Sequence, residues 1–377
     1  MFLIPDEYHN DESFESYLLR ISQANNFESY DLFSGAIKDY LRKTDPDASG
    51  AFPLELSLAN IFHAKQSSSF RIRAIHLVEE CIGLPQWHLY NLAIKHTLAH
   101  FSGTYAAVVR RHIQIPRCFI RVDKIPICPK CLEESVYIRH NWHLIPYTVC
   151  HKHECTLIDH CPNCGNPLNY QKSEVISNCG CGQDLTQIQP EKATDEALII
   201  SKLTADENIS YDHLLAQSNT SLRNGALLFY WLRHHDRQIE SVSSFDFTGA
   251  IQYFYHWPAS LYAELDQNVT KAFNTQTKDF NKTAFQDVFG PILQHARIPQ
   301  TKNADSNFIQ AALVKYLIFL ISNNPKSKIS NLGDLLLNIS ETAALLACSY
   351  EQVYRFYEEG YLQLSFSPVL HQKLSVG

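Results

Sequence analysis

Four short pairs of metal-binding residues between positions 128 and 181 constrain this chain more than any other feature. The first two read Cys128-Pro-Lys-Cys131 and Cys150-His-Lys-His153; the next two read Cys161-Pro-Asn-Cys164 and Cys179-Gly-Cys181. Zinc takes four nitrogen or sulfur ligands in a tetrahedron, and a CxxC, CxC or CxxH spacing places two donors on one turn. The pattern predicts two structural Zn2+ sites, one from Cys128, Cys131, Cys150 and His153 and one from Cys161, Cys164, Cys179 and Cys181. In the first, His151, His153 and Cys155 compete for the fourth position, and the CxxH spacing favours His153. In the second, Gly165 follows the CxxC pair, where the turn asks for positive φ; Leu132 stands at the matching place in the first. Four protein ligands leave no position for a water or substrate. The sites therefore predict a scaffold or recognition module, with no catalytic residue.

The remaining cysteines, charge and hydropathy narrow the class. Seven of the eleven cysteines lie in the pairs, leaving Cys81, Cys118, Cys155 and Cys348. Paired spacings without a secretory leader favour thiolates on metal over a disulfide framework. The start, Met1-Phe2-Leu3-Ile4, runs directly into Pro5, Asp6 and Glu7 with no basic segment before it. No apolar run reaches the roughly 18–20 residues of a membrane span. The longest candidate, Tyr316 to Ile321, reads as a buried helix. A cytoplasmic protein with no membrane partner is expected. The formal charge is −7, and ionised thiols on two zinc ions bring it to about −10. An acidic chain is a poor independent ligand for nucleic acid, whose binding is dominated by phosphate contacts from Lys and Arg.

Along the chain the reading is mainly α. Phe14, Tyr17, Leu18 and Ile21 form one helical stripe behind the candidate N-caps Asn10, Asp11 and Ser13. Residues 1–107 read as a bundle of short helices, 108–187 as a tandem zinc-finger region, and 188–377 as a helical C-terminal domain. The stretch from Thr186 to Asp195 reads as a linker. Leu222, Leu227, Leu228, Trp231 and Leu232 mark one later helix and Phe308 to Leu320 another, and strand signals are sparse outside the zinc knuckles. Residues 340–362 read as a helix-turn-helix, with Ser340 and Ser349 as caps and Gly360 closing the second helix. That second helix carries Glu351, Glu358 and Glu359 against Arg355, which suits protein contact better than a DNA groove.

Other chemistries find little support. A zinc deaminase needs H-x-E followed by P-C-x-x-C; here proline follows the first cysteine of each CxxC pair and no H-x-E precedes them. No phosphate-binding P-loop and no Gly-x-Ser-x-Gly elbow is present. The segment from Arg110 to Lys130 is basic, with Arg111, Arg117, Arg121 and Lys124 against the single acid Asp123. It offers a face for nucleic acid or for an acidic protein. Between the halves of the first site, Trp142 of Arg139-x-x-Trp142 reads as a buried cap on the zinc core, while the role of Arg139 stays open.

Three segments resemble the TniQ family of transposon target-selection proteins: Glu12-Ser-Phe-Glu-Ser-Tyr-Leu-Leu-Arg-Ile21; the run from Cys128-Pro-Lys-Cys131 through Arg139-His-Asn-Trp142 to Cys161-Pro-Asn-Cys164-Gly; and Cys179-Gly-Cys181-Gly-Gln-Asp-Leu185. The likeness covers residues 1–187 closely and the C-terminal half more loosely. Long members of the family read a fixed DNA site. Short ones, of this chain's size, belong to CRISPR-associated transposons of the type I-F Cascade kind. The resemblance to these implies a head-to-tail homodimer on an RNA-guided Cascade complex. It would sit beside the crRNA-processing subunit and an adjacent backbone subunit, near crRNA and target DNA, and recruit an AAA+ regulator and the transposase. Length and acidity favour this adaptor over the alternative, a site-specific DNA-binding selector acting without a guide RNA.

Overall fold

The structure, a computed structural model, describes residues 9–206, 213–235, 241–275, 277–298 and 307–363, with the side chains of 65–67 not described. The apolar start at residues 1–4 and the acidic residues after it lie outside that range. The chain divides into two compact units, Met1–Tyr255 and His256–Gly377. No helix among the described residues is long and apolar enough to cross a membrane.

The first unit opens with helices α1 (Phe14–Ala24), α2 (Tyr30–Thr44), α3 (Pro46–Ala51), α4 (Ser68–Ile82) and α5 (His88–Leu92). Ser13 caps α1 by accepting from the Ser16 amide. The predicted stripe is the buried face: Phe14 and Tyr17 are 1% exposed, and Leu18 and Ile21 0%. The break at Asp45 is a helix start, because the Asp45 carboxylate accepts the Ala48 amide and Pro46 presets the first turn.

A three-stranded antiparallel sheet follows, which the sequence reading of a purely helical segment did not anticipate: β1 (Lys95–Phe101), β2 (Tyr105–Arg110) and β3 (Ile113–Pro116), in the order β1-β2-β3. Its strands are short, and His96, Thr97, His100 and Gln114 interrupt the apolar residues of β1 and β3. The hairpin at Ser102 and Gly103, both at positive φ, was the available signal.

Next come α6 (Pro129–Glu134), the two-residue strands β4 (Val149–Cys150) and β5 (Cys155–Thr156), α7 (Tyr170–Ser173), α8 (Asp195–Thr204), α9 (Leu214–Gln217), α10 (Thr220–His234) and α11 (Gly249–Tyr255). The five apolar residues expected on α10 are all buried. Two polar side chains of the same helix satisfy the free edge of β3: Ser221 Oγ accepts the Gln114 amide at 2.9 Å and Asn224 Nδ2 donates to its carbonyl at 2.9 Å. The expected linker is no free tether. The Thr156 amide donates to the Glu191 carbonyl at 2.8 Å and the Ala193 amide to that of Glu154 at 2.9 Å, laying residues 191–193 along β5.

The second unit holds α12 (Ala259–Thr275), α13 (Phe285–Phe289), α14 (Ile292–His295), α15 (Phe308–Asn323), α16 (Ile339–Leu345) and α17 (Tyr350–Glu358). Helix α15 buries Ile309, Leu313, Tyr316 and Leu320, and the Tyr316 hydroxyl donates to Asp266 on α12 at 2.8 Å. Its other face is open: Ile318 is 60% exposed and Phe319 65%. The stretch from Tyr316 to Ile321 is thus only half-buried. Six consecutive apolar residues go all the way round a helix, whereas α12 covers one side.

Helices α16 and α17 meet across a tight turn in which Ala347 takes positive φ. The cap of α16 is Asn338, not Ser340. Asn338 accepts the Glu341 amide at 2.8 Å and Glu341 returns a bond to the Asn338 amide, a reciprocal pair that starts the helix before Ser340. Ser349 caps α17 as expected, and Gly360 follows it at φ +80°.

Candidate metal centres

Two quite different local folds present the eight candidate ligands. At Cys128-Pro-Lys-Cys131 the chain enters α6 directly: Cys128 is its N-cap and Pro129 its first residue. Leu132 continues this helix and is fully buried, so no glycine is needed there. At Cys161-Pro-Asn-Cys164 the chain reverses instead. Gly165 sits at φ +70° and its amide donates to the Cys161 carbonyl at 2.8 Å, a conformation that costs a residue with a Cβ.

The first cluster brings together Cys128, Cys131, Cys150 and His153. Its edges are 3.5 Å between the sulfurs of Cys131 and Cys150, and 3.6, 3.3 and 3.6 Å from His153 Nδ1 to Cys128, Cys131 and Cys150. Bonds of about 2.3 Å to sulfur and 2.0–2.1 Å to nitrogen give tetrahedral edges of about 3.5–3.8 Å. A zinc ion fits this donor set.

The rivals for the fourth place stand elsewhere. His151 Nδ1 pairs with the Tyr147 hydroxyl at 2.8 Å, and the Cys155 thiol lies 3.7 Å from Cys128 without joining the cluster of four. The far nitrogen of His153 lies 2.9 Å from Glu134 Oε1, which fixes the ring so that Nδ1 points at the thiols. Glu134 escaped the sequence reading, although it lies three residues past Cys131 on the helix which that pair begins. Hydrogen bonds from the Cys131 and Cys150 thiols draw the Cys128 thiol down to about 7, and the same contacts push Cys131 upward. Crowded thiols resist joint ionisation until a cation neutralises them.

The second cluster holds Cys161, Cys164, Cys179 and Cys181. Its sulfurs pair at 3.7 Å, Cys161 with Cys181 and Cys164 with Cys179, again near a tetrahedral edge. Asn163 Nδ2 donates to the Cys181 sulfur at 3.6 Å. Only Cys161 is buried; Cys164 and Cys181 face solvent. No cysteine of the chain is in a disulfide.

The first cluster is tied to the start of the chain. Ser13 donates its amide to the Ile138 carbonyl at 2.8 Å, His140 donates its amide to the Asp11 carbonyl at 2.8 Å, and the Tyr137 hydroxyl bonds Asp11. Trp142 is fully buried. Arg139, also buried, stacks its guanidinium 4.4 Å from the Tyr137 ring and 5.2 Å from the Trp142 ring, with Asp11 at 3.6 Å. It is a structural strut inside the chain.

The basic segment is largely consumed in the same way. Arg110 is 5% exposed and donates to the carbonyls of Leu92, Asn10 and Glu12. Arg121 braces the carbonyls of Ile145 and Tyr147, and Lys124 pairs with Asp159. Arg111 and Lys130 stay at the surface. In the second unit α17 exposes Tyr350, Tyr354 and Tyr357 at 47%, 39% and 42%, with Tyr361 beyond its end at 76%. Spacings of four and three residues put the three helical tyrosines on one face.

Residues 4–157 match the model of the TniQ family. No curated protein matches the chain. The match covers less than half of the chain, and over those residues the chain is similar to the TniQ family. It spans α1, the sheet and the whole first cluster, and it ends four residues before Cys161, so that the second cluster lies outside it.

Proposed function

We propose that the protein is a non-enzymatic target-selection adaptor of a CRISPR-associated transposon. In this reading it acts as a homodimer on an RNA-guided Cascade complex and recruits the AAA+ regulator and, through it, the transposase. Both clusters hold structural Zn2+. The family match over residues 4–157 carries the proposal. Three features support protein contact over direct DNA reading. The basic segment engages Arg110 and Arg121 on backbone carbonyls and pairs Lys124 with Asp159. The second helix of the 340–362 pair, here read as a helix-turn-helix used for protein binding, carries Glu351, Glu358 and Glu359, all exposed. Its tyrosine face is of the kind enriched in protein interfaces. Where RNA–DNA pairing supplies the sequence, the adaptor needs protein surfaces and little base readout.

Co-purification with a candidate Cascade complex, scored by mass, tests this. Two copies per complex and little affinity for free duplex are expected. The second reading, a selector that binds its DNA site without a guide, rests on the exposed Arg111 and Lys130. It requires the free protein to shift one duplex with a steep salt dependence, and that result would replace the adaptor reading.

A further inference from the structure

The first unit contains a cavity of about 220 Å³ whose ionic lining is Glu15 against Arg117, Arg121 and Lys172, with His63 and His143 on the wall. The three cations grade inward: Lys172 is exposed, while Arg117 and Arg121 are half-buried. None of them has a carboxylate within ion-pair distance among the described residues. Arg117 lies over the Phe62 ring at 5.6 Å. Arg121 gives one terminal nitrogen to two backbone carbonyls, and its buried Nε has no partner. Glu15 does not neutralise them, since it accepts from the neutral amides of Asn60 at 2.9 Å and Gln171 at 3.2 Å. Burial also pushes the Glu15 carboxyl upward, toward its uncharged form.

Three like charges grouped around one cavity, with no carboxylate in ion-pair contact, repel one another and favour an anion among them, even in a chain whose own charge is −7. The histidines register the same field. His63 is pushed down to about 4 by burial and then by Arg117 and Arg71, and His143 to about 3 by burial and then by Arg121 and Arg110. The volume is below the roughly 300–1,000 Å³ of pockets that take drug-sized ligands, and guanidinium groups match oxyanions by geometry as well as charge.

We propose that this cavity binds a phosphoryl oxyanion through Arg117, Arg121 and Lys172. Free phosphate and the terminal phosphate of a nucleic-acid strand share that chemistry. The site is independent of the adaptor reading, since it is argued from the lining alone.

Calorimetric titration of the zinc-loaded full-length protein in a low-salt, phosphate-free buffer tests it. The probes are inorganic phosphate and one single-stranded oligonucleotide carrying either a 5′-phosphate or a 5′-hydroxyl. Saturable binding of phosphate is expected, weakened about tenfold by Arg117→Met and again by Lys172→Met. Neither residue braces the backbone as Arg121 does, so both variants should keep the wild-type circular dichroism. Tighter binding of the 5′-phosphorylated strand, displaced by phosphate, identifies a strand end as the source. Equal behaviour of the two strands alongside phosphate binding identifies the free ion. The absence of saturable phosphate binding, or binding that both variants leave unchanged, overturns the proposal.

Discussion

The two cysteine clusters share a donor chemistry and differ in what surrounds it. In the first, Cys128 and Cys131 are 0% exposed and Cys150 1%, and the neighbouring Leu132 and Trp142 are fully buried as well. The segment between its halves is hydrogen-bonded at Ile138 and His140 to residues 11–16, and β5 to Glu191. In the second, two of the four cysteines face solvent, and the local backbone bonds run mainly within the knuckle, Gly165 to Cys161 and Gly182 to Cys179. A metal at the first site would hold a hydrophobic core to its neighbours. A metal at the second would substitute for a core that the knuckle lacks. The first should therefore couple to the stability of the whole unit, and the second should act locally.

The sharpest way to break this contrast is to remove one thiol from each. Zinc binding by small structural sites is worth about 10–16 kcal/mol, comparable with the entire stability of a domain, about 5–15 kcal/mol. Cys131→Ser should abolish the cooperative thermal transition of the first unit. Cys164→Ser should remove one zinc equivalent and lower the melting temperature by only a few degrees. Calorimetry with metal analysis reads both. Similar melting losses in the two variants would show that the clusters are one cooperative element.

Release rates give the next largest effect. A chromogenic chelator should withdraw zinc from the native protein in two phases of one equivalent each, because the exposed sulfurs of Cys164 and Cys181 can be attacked without unfolding. The fast phase should be missing in Cys164→Ser. A single phase for both equivalents would remove the kinetic side of the argument.

What the sequence disclosed follows the same division. Ligand spacing is a local property, so both clusters were legible, as were the α1 stripe and the Ser349 cap. The choice of His153 over His151 and Cys155 also followed spacing, and the structure puts Nδ1 of His153 within 3.6 Å of all three thiols. Non-local pairing was not legible. The three-stranded sheet has short, half-polar strands whose edge is satisfied by Ser221 and Asn224, more than 100 residues away in sequence. Residues 186–195 look like a linker because their polar composition does not reveal that β5 binds their backbone. The basic segment looked like a surface because charge is visible in a sequence and burial is not.

The fourth position of the first cluster allows a finer test. His153→Ala should lose that zinc, while Cys155→Ala should retain it, since Cys155 stands outside the group of four donors that lie mutually within reach of one ion. Glu134→Gln should weaken zinc by about tenfold or somewhat more, the usual effect of losing a carboxylate behind a ligating histidine. Competition against a calibrated chelator measures all three. Zinc retained by His153→Ala and lost by Cys155→Ala would reassign the ligand.

The smallest effect concerns acid, and here the surroundings of the first cluster contain two opposed groups. His143 is 4% exposed, and burial followed by the Arg121 and Arg110 charges lowers it from 6.5 to about 3. The folded state keeps it neutral while the unfolded chain takes up a proton below 6.5. Its contribution to stability is therefore present above pH 6.5 and is lost as pH falls toward 3, at about 1.4 kcal/mol per pH unit. Glu12 is 0% exposed, and burial raises it from 4.5 to about 7 despite its ion pair with Arg20. In the window from 4.5 to 7 the unfolded chain is ionised and the folded one protonated. Its contribution is present below pH 4.5 and is lost as pH rises to 7, the opposite slope. Between pH 4.5 and 6.5 the two groups offset each other. His143→Gln, which keeps a polar group near the Tyr170 hydroxyl, removes one side of that balance. Relative to wild type, its stability should rise on acidification by about 1.4 kcal/mol per pH unit below 6.5. Urea melts across this range, with bound zinc measured at each pH, check the slope; parallel curves for the two proteins would show that His143 takes up a proton in the fold. Histidines shared by both proteins cancel in the difference, and so does acid release of zinc, provided the metal content stays matched.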